Sequence, residues 1–122
     1  MPIVDIELVL GSNGAVAPTL AQSLADTVGR TLKSPAGESW VRLRVLAREH
    51  YAENGSSVES SELPVFVTVL KRTIPPENEL AAEVLALTDA IANALGRAPP
   101  CVHIEYAPAA SGRVSFGGKL VE

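Results

Sequence analysis

Cysteine occurs once in the 122 residues, at Cys101, so no disulfide can form within the chain. Between Pro100 and Val102, at the start of an apolar segment, a lone thiol is expected as a buried, inert packing group. Histidine occurs only at His50 and His103, and no Cys or His spacing suits zinc. No EF-hand or phosphate-loop pattern is present, so neither a metal nor a cofactor is expected. Runs of Lys or Arg are missing and the net charge is −4, which argues against a nucleic-acid backbone or an anionic membrane as partner. The amino-terminal apolar run is broken by Asp5 and Glu7 and has no basic leader, so it is neither signal peptide nor membrane span. A cytoplasmic protein acting on a small molecule is the expectation. Aromatic residues make up only 4%, so each of Trp40, Tyr51, Phe66, Tyr106 and Phe116 is worth placing.

What is there is a chain with 47% hydrophobic and 20% charged residues, the balance of a single globular domain. In its first ten residues Asp5 and Glu7 alternate with Val4, Ile6 and Leu8, the period of a strand with one buried face. Gly11-Ser12-Asn13-Gly14 is a turn cluster without the lysine of a phosphate loop. From Ala15 to Lys33, apolar residues recur every four positions at Val16, Leu20, Leu24, Val28 and Leu32, which predicts an amphipathic helix starting near Pro18. Trp40 to Ala47 alternates again as a second strand, Arg42 and Arg44 opposing Val41, Leu43 and Val45. Arg48 to Glu62 is polar, with a turn signal at Asn54-Gly55, and is expected as a hairpin or loop.

The pattern then starts over. Leu63 to Arg72 repeats the opening segment, with Pro64 standing 62 positions after Pro2. A second helix follows Pro75-Pro76, has Glu77 and Glu79 in its first turn, buries Leu80, Val84, Leu87, Ile91 and Leu95, and stops at Gly96. Val102 to Tyr106 mirrors Val41 to Val45 at an offset of 61. Two βαβ units, residues 1–62 and 63–122, are therefore expected to form one α/β two-layer sandwich. A four-stranded sheet would carry both helices on one face. Its other face would hold Asp5, Glu7, Arg42, Arg44, Thr68, Arg72, His103 and Glu105 among Ile3, Val9, Phe66 and Leu70, a mixture expected to be covered by further copies of the chain.

The Met-Pro start, the tandem βαβ units and the ending Val114-Ser-Phe-Gly-Gly-Lys-Leu120 together resemble the tautomerase superfamily over nearly the whole chain. That group includes 4-oxalocrotonate tautomerase, macrophage migration inhibitory factor, malonate semialdehyde decarboxylase and cis-3-chloroacrylic acid dehalogenase. The resemblance implies a homotrimer with inward-facing sheets and a cofactor-independent isomerase, moving a proton on a small 2-oxo or 2-hydroxy-enoic acid. Pro2 matches the amino-terminal proline that serves as general base once the initiator methionine is gone. An α-amino group has a reference pKa of about 7.7–8.0, and burial or nearby cations lower it toward neutrality. Pro64 shows that this chain also uses proline simply to open a strand.

Carried over residue by residue, Arg72 and Arg42 match family arginines that hold a carboxylate, a task suited to a bidentate guanidinium. Cross-strand pairing with Asp5 or Glu7 accounts equally well for Arg42 and Arg44. Lys33 falls where migration inhibitory factor has a pocket lysine, and a cation at a helix C-terminus accounts for it too. Tyr51 and Phe116 take the place of an aromatic pocket wall. Tyr106 is expected in the core, His50 in a solvated loop and His103 in an ion pair. Where 4-oxalocrotonate tautomerase has an arginine after its first strand this chain has Ser12, and the dehalogenase's helical histidine and tail glutamate fall at Val28 and near Ser115. Water-activating chemistry is disfavoured on that ground. Decarboxylation of a 3-oxo acid and a non-catalytic trimeric interaction module that keeps Met1 stand as alternatives.

Overall fold

The computed structural model describes residues 2–11 and 14–122; Met1, Ser12 and Asn13, and with them the middle of the turn cluster after the first strand, lie outside the described residues. The elements in order are β1 (Pro2–Leu10), α1 (Leu20–Thr31), β2 (Trp40–Ala47), β3 (Val65–Lys71), α2 (Glu77–Leu95), β4 (Val102–Tyr106), β5 (Ser115–Phe116) and β6 (Lys119–Leu120). The first four strands form one mixed sheet in the order β2-β1-β3-β4. β1 runs parallel to β2, β3 parallel to β4, and the two central strands are antiparallel, with Pro2 opposite Lys71 and Leu8 opposite Val65. This is the α/β sandwich expected from the repeat.

Strand alternation decides which side of the sheet is dry. Val4, Ile6 and Leu8 of β1 and Val65, Val67 and Val69 of β3 all point to one face, where Leu24 and Val28 of α1 and Leu87, Ile91 and Ala92 of α2 close over them. Each fully buried Leu, Ile or Val contributes roughly 1.5–3 kcal/mol relative to exposure. Val9 has the parity of the other face yet is fully buried, contrary to its expected place there. Its main chain explains part of this. The Val9 amide donates to Pro64 O at 3.3 Å, and its carbonyl accepts from Arg97, whose guanidinium also reaches Leu63 O at 2.7 Å.

α1 begins later than its apolar spacing predicts. Residues 15–19 are not helical, and Val16 packs against the core from a non-helical segment. Pro18 restricts Ala17 to extended backbone, so the four-residue period outruns the helix itself. Between β2 and β3, two short 3-10 turns at Arg48–His50 and Ser60–Glu62 flank a tight turn at Asn54-Gly55, closed by a single bridge between Glu53 and Ser56. Among the described residues, no helix is long and apolar enough to cross a membrane.

Candidate active site

Topology gathers several chain ends at one edge of the sheet. Because β1 and β2 are parallel, α1 must run back between them, and its C-terminus arrives beside the first residue of β1. β3 is antiparallel to β1, so it ends there too, and β4 follows β3. The tail after β4 stays at this edge, where Ala107 donates to Val69 O, Ala110 to Lys71 O and Ser111 to Arg72 O at 2.9–3.1 Å. Pro2 therefore lies at the meeting point of five segments. It is buried, and a cleft of about 480 Å³ beside it is lined by Lys33 and Ser34 after α1, Lys71 and Arg72 at the end of β3, the Thr73–Pro76 lead into α2, and Glu79 in the first turn of α2.

Lys33 enters this cleft from an unusual backbone. Its φ is +54°, and it is the one non-glycine residue with positive φ among the described residues. Ser34 donates to Gly29 O at 2.9 Å and Lys33 to Arg30 O at 3.3 Å, the paired bonds of a Schellman helix ending. The second unit closes α2 in the same way, with Arg97 donating to Ala92 O and Gly96 to Asn93 O. There the left-handed position is held by Gly96, φ +65°. Where one repeat spends a glycine, which carries no steric penalty, the other accepts the cost of a lysine.

Arg72 stands one residue past β3, exposed, rather than inside the strand on the open face. Its Nε donates to the main-chain oxygen of Glu122, and it borders a second groove of about 500 Å³ lined by Phe116, Lys119, Leu120 and Val121. The tail that makes this groove is a two-residue hairpin, with Phe116 paired to Lys119 and both Gly117 and Gly118 at positive φ. Phe116 packs edge-on against Trp40 at a centroid distance of 5.1 Å, and the Trp40 indole donates to Gly37 O at 3.0 Å. Phe116 is thus a wall next to Arg72.

Arg42 and Tyr51 lie elsewhere. Arg42 faces the open side of the sheet and holds Asp5 through two bonds, at 2.5 and 2.7 Å, with Arg44 at 3.9 Å from the same carboxylate. The Arg42 hydrogen bond keeps the Asp5 carboxyl below its ordinary range, against the opposing effect of burial. Tyr51 packs on Phe66 at 5.9 Å and donates to Glu53, a bond that raises the phenol above its ordinary value. His103 makes no ion pair among the described residues, contrary to expectation; its ring lies 5.7 Å from that of Phe66.

Sequence reading passed over one group. Lys71 Nζ is 2.7 Å from Glu83 Oε1, and the Tyr106 hydroxyl donates to Glu83 Oε2. Burial, then the bond to Glu83, pushes the Tyr106 phenol well above its ordinary value, so it stays protonated and donating. The available signal was a charged residue at 83 in the stripe that continues as Leu87 and Ile91. Cys101 is buried, as expected, and no group of three metal-ligating side chains occurs among the described residues.

No protein-family model and no curated protein matches the sequence. Solved structures do match it. Macrophage migration inhibitory factor from Oncomelania hupensis superposes with a TM-score of 0.73 at 19% identity, over 100% of this chain and 83% of that one. A fused 4-OT described as a symmetric trimer gives 0.71 at 18%, over 98% and 94%. Pt0534 inactivated by 2-oxo-3-pentynoate gives 0.74 at 16%, again over 98% and 94%. These likenesses cover the whole βαβ pair and not one half of it, and the chain has the fold of the tautomerase superfamily.

Proposed function

We propose that this protein is a cofactor-independent isomerase that moves a proton between the enol and keto forms of a small 2-oxo or 2-hydroxy-enoic acid, with the Pro2 nitrogen as general base. The observation that carries this reading is the single cleft lined by Pro2, Lys33 and Arg72. Among the described residues of the lining, Lys33, Lys71 and Arg72 outnumber the one carboxylate, Glu79. An amine in such a cationic surrounding favours its neutral, proton-accepting form, while the same cations attract a carboxylate. Arg72 holds that carboxylate and stabilises the developing enolate, Lys33 adds a second charge, and Phe116, in the neighbouring groove that Arg72 also lines and not in the Pro2 cleft, provides an apolar wall for a longer carbon skeleton. The chemistry requires removal of Met1, which frees Pro2 as a secondary amine.

Arg42 and Tyr51 lie on the open sheet face and cannot share the Pro2 cleft of their own chain by the contacts they make. In the proposed assembly, three chains cover one another's open faces, and these two residues serve the cleft of a neighbour.

The test is ketonisation of the enol of phenylpyruvate and of 2-hydroxymuconate by protein prepared with Pro2 at its amino terminus. Pro2→Ala should lose at least about 100-fold in kcat/KM, the usual contribution of a general base. Equal rates for parent and variant would sink the proposal. Carbon dioxide release from malonate semialdehyde without enol–keto activity would replace isomerisation by decarboxylation.

A further inference from the structure

We propose that Lys71 is a further anion-holding residue of the Pro2 cleft beside Arg72 and Lys33, and that Glu83, itself fixed by Tyr106, positions its ammonium there. This rests on reading the cleft as an anion-binding active site, and it adds a residue that neither the repeat nor the motif singled out.

Three apolar series break at one place. On β3 the helix-facing residues are Val65, Val67 and Val69, all buried, and the next is Lys71. On β4 they are Val102 and Ile104, and the next is Tyr106. On α2 the stripe of Leu87 and Ile91 has Glu83 one turn before it. The three polar side chains meet at the Pro2 end of the core, Lys71 and Tyr106 each donating to Glu83. Lys71 and Glu83 keep only 23% and 18% of their side-chain surface exposed. A pair so enclosed loses solvation comparable to what its attraction returns, and apolar residues there would hold the fold as well. Its placement therefore needs another reason.

That reason is the neighbour. Pro2 and Lys71 are directly opposed across the antiparallel central strands and project to the same side. Lys71 lines the cleft that Pro2 lines. An ammonium has three protons to donate, and Glu83 takes one of them, leaving others for an anion in the cleft. Glu83 also offsets the charge, so that the pair tunes how strongly the cleft attracts an anion without changing its shape. Tyr106, by donating to the far oxygen of Glu83, fixes the carboxylate's orientation.

Two isosteric variants separate this arrangement from a structural ion pair. Oxalate, a planar stand-in for a 2-oxo acid enolate, is titrated calorimetrically into the parent, Lys71→Met, Lys71→Arg and Glu83→Gln. Lys71→Met should weaken oxalate binding about tenfold, and Glu83→Gln should tighten it several-fold by uncovering the Lys71 charge. Lys71→Arg should bind like the parent. Binding that is undetectable in the parent, unchanged in both variants, or weakened in both alongside a fall in melting temperature overturns the proposal. The readout needs no turnover. Opposite shifts in oxalate affinity with no enol–keto activity would leave this assignment standing and remove the isomerase, whereas a Pro2-dependent rate with equal KM in both variants would do the reverse.

Discussion

At the scale of single residues, Lys33 separates capping from function. As a cation at the end of α1 it interacts favourably with the helix dipole, an effect of about 0.3–1 kcal/mol. Its left-handed backbone, φ +54°, costs a non-glycine residue about 1–2 kcal/mol. Glycine, which Gly96 supplies at the matching turn of the second unit, would be the more stable choice. Lys33→Gly is therefore expected to raise stability to urea by up to about 1 kcal/mol while weakening oxalate binding several-fold. Lower stability with unchanged oxalate affinity would assign Lys33 to capping alone. Asp5 teaches the opposite lesson. Its bidentate pairing with Arg42 is the cross-strand reading of that arginine, which stood beside the carboxylate anchor implied by the resemblance, and the side chains take the pairing within the chain.

At the scale of elements, the tail hairpin is the least redundant part of the site. β5 and β6 are two residues each, joined by Gly117 and Gly118 at φ +57° and +91°. A type I′ connection needs both, and a β-branched residue is strained there. Gly118→Val is expected to open the hairpin at a cost on the order of 1–2 kcal/mol locally, freeing Phe116 from Trp40. Trp40 is the only tryptophan, so iodide quenching of its fluorescence reports the change directly. Quenching should increase while the helical circular dichroism stays as in the parent, because the core of β1, β3, α1 and α2 does not include the tail. Unchanged quenching would mean that the edge-on contact survives a strained turn. The segment rich in glycine was visible in the sequence, but a hairpin of two-residue strands has too few alternating positions to be recognised as one.

At the scale of the whole molecule, the open sheet face sets the question of assembly. Phe66 is 37% exposed there, with Tyr51 and His103 against its ring and the Asp5, Arg42 and Arg44 charges on the neighbouring strands. An apolar centre rimmed by charge is the composition of an interface. In the proposed trimer a buried glutamate at this centre is not tolerated. Light scattering after gel filtration should give about three times the 12.8 kDa chain mass for the parent and the single-chain mass for Phe66→Glu. A parent that elutes at one chain mass would exclude the shared site.

Much of this was legible from the chain alone. Alternation marked β1 to β4, four-residue periods marked both helices, and the offset between Pro2 and Pro64 revealed the repeat, because binary pattern and local propensity act over a few residues. Two right-handed crossovers fixed the parallel pairing within each unit, while the order β2-β1-β3-β4 came from the folded chain. Only the folded chain decided that Val9 is buried, that α1 starts at Leu20, and that Arg72 lies just beyond β3. It also decided which cations share a cleft with Pro2. Lys33, Lys71 and Arg72 come from the ends of two elements, and Glu83 and Tyr106 join them from two more. Such a cluster depends on contacts between residues far apart in sequence, which no local period records. The sequence by itself determined the layers and the faces. The antiparallel pairing of β1 with β3 determined that the two repeats meet at Pro2.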